Sequence, residues 1–231
     1  MQVAILAGGL ATRLRPLTEK LPKSLVLIQG KKFLEYQLEF LKANGVTDVV
    51  LCIGHLGEQI EKNFGDGGKF GVKIRYSDEG KKLLGTAGAL KKAEKLLEDE
   101  FFVMYGDAFL FLDFPNLMCY FKNQNKSALM AVYKNRGRYD KSNTVVEGNF
   151  VRRYSKQDKT GEMEYIDYGA NILQKKTLEL VPMDRPYSLE ELFLILIEQN
   201  ELLAFEVKER FYEIGSPGGL KEFRKYVSRN R

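Results

Sequence analysis

The chain has 231 residues, of which 44% are hydrophobic and 29% are charged, a composition typical of a soluble globular protein. Its net charge of +5 comes from 36 lysines and arginines that alternate with 31 acidic residues, which indicates solvated faces and an anionic substrate rather than nucleic acid. The sequence has no run of about 18 apolar residues and enters a strand at its N terminus, so we expect a cytoplasmic protein with neither a membrane span nor a signal peptide.

The first predicted element is a buried strand, Gln2–Leu6, which runs directly into Ala7-Gly8-Gly9. Glycines at the end of a strand let backbone N–H groups approach an anion, because no Cβ is in the way. Arg13 and Lys23 follow and can bind phosphate, the first as a planar fork and the second as a compact charge. The spacing is neither that of a Walker A loop nor that of a dinucleotide fingerprint. A tight turn with solvated cations is the alternative interpretation.

Strands and helices alternate up to Asp107. Hydrophobic periodicity predicts helices over residues 33–44, 56–64 and 86–97, the last one capped by Thr86, and strands over 49–53, 72–77 and 101–105. This alternation predicts a mainly parallel sheet that is covered by helices on both faces. Ligands of such sheets bind beyond the carboxyl ends of the strands, where the glycine turn and Gly106-Asp107 would both lie.

Short strands follow one another closely after Asp107. We predict a helix near 116–125 and strands over 128–133, 144–146, 151–154, 165–173 and 202–207, which indicate antiparallel additions to the parallel core. Ser188 opens a capping box with Glu191, and Ser216 with Pro217 starts the last helix. The expected fold is α/β and forms one domain over 1–231, with a nucleotide half at about 1–112 and an acceptor half at about 113–231. Cys52 and Cys119 lie in apolar contexts and are predicted to be buried free thiols.

The pattern Gly8-Gly9-x-x-x-Arg13, followed after nine residues by Lys23, resembles the signature of the sugar-phosphate nucleotidylyltransferases. The family often carries glycine where this chain has Ala11. These enzymes join a nucleoside triphosphate to a sugar 1-phosphate and release pyrophosphate. The resemblance implies a Rossmann-like nucleotide-diphospho-sugar transferase fold, Mg²⁺ as cofactor and these two substrates as partners. It is strongest to heptose- and mannose-1-phosphate guanylyltransferases.

The resemblance assigns the nucleotide to the first half of the chain. The residues that it implies for nucleotide binding are Leu6, Ala7, Gly8, Gly9, Arg13, Lys23, Glu79, Gly85, Thr86 and Asp107. Arg13 and Lys23 would be the catalytic cations. Gly85 and Thr86 leave room for a flat base at a helix N terminus, and Glu79 could accept a hydrogen bond from a ring N–H. A loop with an N-cap is the alternative for this segment.

Two carboxylates are candidate Mg²⁺ ligands. Asp107 follows a strand beside a glycine, where one oxygen can hold the ion while triphosphate and water complete its octahedron. An aspartate that bonds its own turn is the alternative. Glu213 stands where the family usually has Asp and reaches one methylene further, with an ion pair to a nearby cation as the alternative. If both strands end at the same edge of one sheet, the two carboxylates would face the triphosphate.

Three residues of the second half are candidates for binding the sugar phosphate. Lys156 resembles the lysine of the family's Glu-Lys motif, although Ser155 replaces the glutamate, and a surface lysine is the alternative. Asp167 and Gly169 resemble the sugar-binding strand, where glycine gives space to the ring and a polar neighbour takes a hydroxyl. A β-bulge is the alternative there, because a glycine within a strand often marks one.

The expected reaction is in-line attack of the sugar 1-phosphate on the α-phosphorus, with GTP as nucleotide and a manno-configured sugar as acceptor. The nucleophile is already an anion, so no general base is needed, and catalysis consists of positioning and charge neutralisation. UTP-dependent transfer to N-acetylmuramate 1-phosphate, CTP-dependent transfer to phosphocholine and a non-catalytic regulatory relative are the alternatives. A homodimer is plausible.

Overall fold

The computed structural model describes residues 1–80, 82–158 and 160–230. Its strands in chain order are β1 (Gln2–Leu6), β2 (Leu27–Ile28), β3 (Lys31–Lys32), β4 (Asp48–Ile53), β5 (Lys73–Asp78), β6 (Glu100–Tyr105), β7 (Ala108–Phe109), β8 (Ala128–Lys134), β9 (Thr144–Glu147), β10 (Phe150–Tyr154), β11 (Tyr165–Gln174), β12 (Leu202–Val207) and β13 (Tyr212–Glu213). Its α-helices are α1 (Phe33–Ala43), α2 (Gly57–Phe64), α3 (Gly85–Ala93), α4 (Phe114–Lys122), α5 (Leu189–Glu198) and α6 (Pro217–Arg229).

Nine strands form one mixed sheet in the order β5-β4-β1-β6-β11-β8-β12-β10-β9. The four strands from the first half, β5, β4, β1 and β6, are parallel, as crossovers through helices require. β11 then lies antiparallel to both β6 and β8, and β10 lies antiparallel to β12 and β9, whereas β8 and β12 are parallel. The predicted α/β class, with a parallel first half and antiparallel additions, is confirmed.

Helices cover both faces of the sheet and bury its apolar side chains. On one face, α1, α2 and α4 pack through residues that include Leu34, Leu38, Ile60, Phe64, Phe114 and Phe121. On the other face, α3 and α5 pack through residues that include Ala87, Leu90, Leu192, Phe193 and Leu196. The last helix, α6, packs instead beside α1 through Leu220, Phe223 and Val227. Among the described residues, no helix is long and apolar enough to cross a membrane.

Predicted capping signals define the starts of the last two helices. The Ser188 hydroxyl accepts from the Glu191 N–H at 3.2 Å, and the Glu191 carboxylate accepts from the Ser188 N–H at 2.8 Å, which completes the capping box. The Ser216 hydroxyl accepts from the Gly219 N–H at 3.0 Å, with Pro217 in the first helical position. Both predictions are confirmed because these caps need only residues adjacent in sequence.

Two expectations about individual side chains are wrong. Thr86 does not cap α3, because the helix begins at Gly85, and the Thr86 hydroxyl accepts a hydrogen bond of 2.7 Å from the backbone N–H of Leu189. Cys119 is exposed, because it lies on the outward side of α4, whereas Cys52 on β4 is fully buried as expected. Both errors concern contacts or faces that the neighbouring residues alone do not specify.

Candidate functional site

The two glycines after β1 meet different surroundings. A Cβ on Gly8 would lie 2.5 Å from Glu79 Oε1 and 3.2 Å from the backbone nitrogen of Gly54, so a side chain here would have to displace the Glu79 carboxylate. A Cβ on Gly9 would meet nothing within 4 Å. Gly8 therefore lies against both Glu79 and the backbone of Gly54, whereas Gly9 leaves the mouth of the adjoining cavity open.

A cavity of about 220 Å³ opens at the carboxyl ends of the parallel strands. Its walls contain nine of the ten residues predicted to bind nucleotide, namely Leu6, Ala7, Gly8, Gly9, Lys23, Glu79, Gly85, Thr86 and Asp107. The tenth, Arg13, lines the neighbouring cavity. We call the first space the nucleotide cavity. Its wall also contains Cys52, Leu83, Ala89 and Tyr105, which were not predicted because apolar and aromatic residues carry no motif signal.

The start of α3 is held against the segment before α5. Gly85 has a φ of +76°, and a Cβ there would lie 2.5 Å from the Tyr187 carbonyl oxygen. That carbonyl accepts from the N–H groups of Ala87 and Gly88, at 2.9 and 3.0 Å. Glycine is required at position 85 by both backbone conformation and close approach. The two segments together build one wall of the nucleotide cavity.

Glu79 is half-buried beside this wall. Its Oε2 accepts from the Leu84 N–H at 2.7 Å. Burial raises the pKa of Glu79, while the hydrogen bond from Leu84 and the charge of Lys92 oppose that rise. Burial, reinforced by the negative charge of Glu79, also raises the pKa of the Cys52 thiol to about 12. Cys52 is therefore a neutral wall residue rather than a thiolate nucleophile.

Asp107 lies in the turn between β6 and β7. Its Oδ2 accepts from Lys23 Nζ at 2.6 Å, and its carbonyl accepts from the Ile214 N–H at 2.9 Å. Buried Gln37 on α1 donates through Nε2 to the carbonyls of Tyr105 and Ala108, at 3.2 and 2.7 Å. The turn that carries Asp107 is thus held on both sides.

Asp107, Glu213 and Arg13 converge around Gly215. A Cβ on Gly215 would lie 2.6 Å from Asp107 Oδ2, 3.0 Å from Glu213 Oε2 and 3.1 Å from Arg13 Nη2. The two carboxylate oxygens can therefore be no further apart than the sum of the first two distances. The hypothesis that both strands end at one edge of the main sheet is wrong, because β13 pairs with β7 in a separate two-stranded sheet. That small sheet brings Glu213 opposite Ala108, beside Asp107.

Glu213 also contacts the N terminus of α6. Its Oε2 accepts from the N–H groups of Gly215 and Ser216, and its Oε1 accepts from the Ser216 hydroxyl. These contacts fix the direction of the carboxylate, and the helix dipole stabilises its charge. Across the described residues, no group of three or more His, Cys, Asp or Glu side chains is arranged to hold a metal ion. The protein ligands available here are the two carboxylates.

A second cavity of about 490 Å³ adjoins the first and shares Thr86, Tyr105 and Asp107 with it. We call it the acceptor cavity. It brings together the predicted residues Arg13, Lys156, Asp167, Gly169 and Glu213, and adds Asp140, Lys141, Asn143, Ile166, Tyr168 and Phe211, which the sequence analysis did not identify. Ile166 and Tyr168 lie on β11 next to the recognised Asp167 and Gly169, whereas Asp140, Lys141 and Asn143 precede β9 in a loop for which no motif was recognised.

Asp167 is already engaged on both oxygens. Its Oδ2 accepts from the hydroxyls of Tyr105 at 3.0 Å and Tyr154 at 3.2 Å, and its Oδ1 accepts from the Gly169 N–H at 3.0 Å. Burial, followed by the charge of Asp167, raises the pKa of Tyr105 well above its usual value, so this hydroxyl stays protonated. Lys156 Nζ lies 3.4 Å from the Tyr105 hydroxyl and 5.0 Å from the centre of its ring. Asp167 thus orients Tyr105, beside the ammonium group of Lys156.

Gly169 has a φ of +95° and lies where the pairing of β11 with β8 shifts register between Asp167 and Asn171. A Cβ there would come within 3.3 Å of Ala108 Cβ and Tyr105 Cδ2. The strand irregularity that the β-bulge alternative predicted is therefore present at this glycine. It occurs in the wall of the acceptor cavity, so the two interpretations of this glycine are compatible.

Comparisons with known proteins agree with this geometry. A family model described as nucleotidyl transferase matches residues 2–147. Over 94% of its length, the chain is 32% identical to the D-glycero-alpha-D-manno-heptose 1-phosphate guanylyltransferase of Campylobacter jejuni, of which it covers 96%. It is also 32% identical to mannose-1-phosphate guanyltransferase beta-B of Xenopus laevis, again over 94% of this chain but only 62% of that protein. The chain thus spans less than two thirds of the latter relative.

A solved structure gives the same result in three dimensions. HddC from Yersinia pseudotuberculosis, complexed with GMP-PN, has a TM-score of 0.82 and 27% identity to this chain, and the match covers 98% of this chain and 99% of HddC. The family match extends over more than half of the sequence, and one curated relative is matched almost from end to end. The chain therefore belongs to the nucleotidyl transferase family.

Proposed function

We propose that this chain transfers a nucleotidyl group from a nucleoside triphosphate to a sugar 1-phosphate and releases pyrophosphate. The observation that carries this proposal is the pair of adjoining cavities that share Tyr105 and Asp107. A triphosphate in the nucleotide cavity would place its α-phosphorus near this junction. A sugar phosphate in the acceptor cavity would then approach the same atom from the other side. We further propose that residues 1–112 form the nucleotide half and 113–231 the acceptor half of one domain.

The cations around the junction support a mechanism of positioning and charge neutralisation. Lys23 lines the nucleotide cavity, whereas Arg13 and Lys156 line the acceptor cavity. The attacking phosphate oxygen is already an anion, so no side chain has to remove a proton. Lys23 and Arg13 would neutralise the charge that builds on the pyrophosphate, and Lys156 would orient the acceptor phosphate.

The donor set around Gly215 fits Mg²⁺. This ion is commonly held by one or two carboxylates while substrate phosphates and water fill its other positions. Asp107 and Glu213 would provide those carboxylates, and a glycine at position 215 lets their oxygens approach each other where a Cβ would be too close to both. When bound, Mg²⁺ would offset the negative charge of the triphosphate and help to orient its oxygens.

We propose GTP as nucleotide and a mannose- or manno-heptose-type 1-phosphate as acceptor. The names of the relatives and the GMP-PN in the HddC complex support both choices. Glu79 in the cavity wall adds a chemical reason, because guanine offers two N–H donors on one edge and a carboxylate accepts both. The Lys156 ammonium group covers the ring of Tyr105 and would repel a choline cation there, whereas the rings of Tyr168 and Phe211 also line this cavity, so the assay includes phosphocholine.

A pyrophosphate-release assay tests the proposal. GTP, UTP, CTP and dTTP are each combined with mannose 1-phosphate, manno-heptose 1-phosphate, N-acetylmuramate 1-phosphate, glucose 1-phosphate and phosphocholine. The highest kcat/KM is expected for GTP with a manno-configured acceptor. Faster turnover with UTP or dTTP would reject the guanine assignment, and CTP with phosphocholine would support the choline alternative. Absence of pyrophosphate with every pair would indicate a non-catalytic relative.

We also propose a cytoplasmic location and a homodimeric state. The two free cysteines support the cytoplasmic location, because thiols stay unpaired in a reducing compartment. The homodimer can be measured directly. Light scattering coupled to size-exclusion chromatography should give twice the chain mass. A monomer mass at micromolar concentration would reject the dimer and leave the proposed reaction unaffected.

A further inference from the structure

Asn143 precedes β9 and lines the acceptor cavity. Its backbone is held from two sides, because its N–H donates to the Tyr165 carbonyl at 2.9 Å and its own carbonyl accepts from the Ser155 N–H at 3.0 Å. Only 8% of the residue is exposed. The side chain therefore starts from a backbone position that the strands define, rather than from a mobile loop.

Two donors fix the orientation of the Asn143 amide. The backbone N–H of Asp167 lies 2.8 Å from one terminal atom of the side chain, and a backbone N–H can only donate, so that atom must be the oxygen. The fully buried hydroxyl of Thr144 also donates to this Oδ1, at 2.8 Å. A flipped amide would put its NH₂ group against the Asp167 N–H and leave that donor without an acceptor.

This orientation leaves Nδ2 as the free polar atom of Asn143. Within residues 1–80, 82–158 and 160–230, no oxygen or sulfur accepts a hydrogen bond from it, and it is not one of the enclosed polar atoms that lack a partner. An atom of a cavity-lining side chain that is neither paired nor enclosed is accessible from the cavity. Asn143 thus presents a hydrogen-bond donor of fixed direction at the wall.

We infer that Asn143 Nδ2 donates to a hydroxyl oxygen of the acceptor sugar and so helps to select the acceptor, an inference that rests on the proposed function. The phosphate of the acceptor has cations available in the same cavity, Arg13, Lys141 and Lys156. A neutral amide adds direction rather than charge, and a few well-placed polar groups of this kind usually determine which ligand a pocket accepts.

The test compares acceptors that differ by one hydroxyl. The wild-type chain, Asn143→Ala and Asn143→Asp are assayed at saturating GTP and Mg²⁺ with the best wild-type sugar 1-phosphate and its monodeoxy analogues. In the wild type, one analogue should react more slowly because it lacks the hydroxyl that Asn143 binds. The quantity compared is the ratio of kcat/KM for the parent sugar 1-phosphate to kcat/KM for each analogue. In Asn143→Ala this ratio should fall by about tenfold for the analogue that lacks the bound hydroxyl and stay unchanged for the others.

Asn143→Asp is the sharper variant. An aspartate keeps an oxygen for the Asp167 N–H and the Thr144 hydroxyl but replaces the NH₂ donor by an acceptor, so the fold should be retained, as a thermal melt would check. It should lose selectivity for the same hydroxyl as Asn143→Ala. Its added negative charge should slow all acceptors by a common factor, and the ratios between acceptors remove that factor. Lys156→Met is the matched control, expected to weaken all acceptors equally.

The outcomes separate this inference from the proposed function. Turnover by the wild type together with equal losses on all acceptors in both Asn143 variants would mean that Asn143 holds the phosphate or only supports the fold, and would overturn the inference alone. Unchanged kinetics in both variants would overturn it as well. Absence of wild-type turnover with every sugar 1-phosphate would overturn the proposed function and this inference with it.

Discussion

Lys23 Nζ lies 2.6 Å from Asp107 Oδ2, and this ion pair joins two loops that are 84 positions apart in the sequence. The two side chains are 20% and 25% exposed, so water still screens the pair to some extent. The carboxylate oxygen that holds Lys23 is also the one that a Cβ on Gly215 would meet, at 2.6 Å, with Glu213 Oε2 at 3.0 Å from the same point. Lys23 and a divalent cation therefore compete for the same oxygen, and we expect the pair to separate when Mg²⁺ and nucleotide bind.

The first prediction concerns the triphosphate cations. Lys23→Ala and Arg13→Ala should each lower kcat/KM by on the order of 10²–10³, because each removes positive charge from the site where negative charge develops. Lys20→Ala, an exposed lysine of the same loop, is the matched control and should retain activity. Steady-state pyrophosphate release measures all three variants. Near-normal kcat/KM in both Lys23→Ala and Arg13→Ala would show that this turn does not hold the triphosphate.

The second prediction follows from the competition at Asp107. Lys23→Met should bind Mg²⁺ more tightly than the wild type in the absence of nucleotide, because the rival cation has been removed. Isothermal titration calorimetry with Mg²⁺, and separately with Mn²⁺, measures the metal affinities of the wild type and of Lys23→Met. Weaker binding in Lys23→Met would mean that the lysine supports the metal site instead of competing with it.

The third prediction concerns the two carboxylates. Asp107→Asn should nearly abolish activity with the fold intact, and Glu213→Gln should be severe but less complete. Glu213→Asp should require more Mg²⁺ for half-maximal rate, because its shorter arm must satisfy both the ion and the N terminus of α6. The measurement is the Mg²⁺ dependence of the rate. If the rate of Glu213→Gln depended on Mg²⁺ concentration in the same way as the wild-type rate, Glu213 would not be a ligand.

The fourth prediction uses the glycine between those carboxylates. Gly215→Ala should strongly reduce Mg²⁺-dependent activity, because its Cβ would come within 2.6 Å of Asp107 Oδ2. Gly218→Ala, three positions along on α6, is the matched control, since its Cβ would meet only Ser216 Oγ at 4.0 Å. That control should keep activity and gain about 0.5–1 kcal/mol of helix stability. Equal activity in the two variants would contradict a metal site at Gly215.

The fifth prediction concerns pH and Glu79. Burial raises the pKa of Glu79 in the folded state, so folding favours its protonated form. The stability contributed by that form is complete below the unfolded-state pKa of about 4.3, and it is lost as the pH rises through the higher folded-state pKa. Glu79→Gln removes this loss and keeps an oxygen for the Leu84 N–H. Its melting temperature relative to wild type should therefore be higher at about pH 8 than at about pH 4.

A matched variant separates the effect of burial from a general effect of charge. Glu58→Gln changes an exposed glutamate on α2, and its melting temperature relative to wild type should not follow the same trend with pH. Thermal melts across the pH range measure both variants. A difference for Glu79→Gln that stays constant or shrinks with rising pH would show that desolvation does not control this carboxyl group.

The features that could be predicted from the sequence are those that depend on neighbouring residues. The strand β1, the capping box at Ser188 and the cap at Ser216 need only a local pattern, because their contacts span a few positions. The alternation of these elements was sufficient to predict a parallel first half with antiparallel additions. The glycine turn with Arg13 and Lys23 was a sufficient motif for the family, and that family is now shown by the comparisons.

Other features depend on contacts between distant segments, and only the tertiary structure decided them. Thr86 could be read as a helix cap because nothing local shows that its hydroxyl meets Leu189, 103 positions away. The sequence was sufficient to name Asp107 and Glu213 as candidate ligands of one ion. Their approach depends on the pairing of β7 with β13, which strands of two residues are too short to predict. The hydrogen bonds that occupy Asp167 and orient Asn143 likewise come from several strands. Local patterns determined the elements of this protein, whereas long-range packing determined which polar atoms remain free for a substrate.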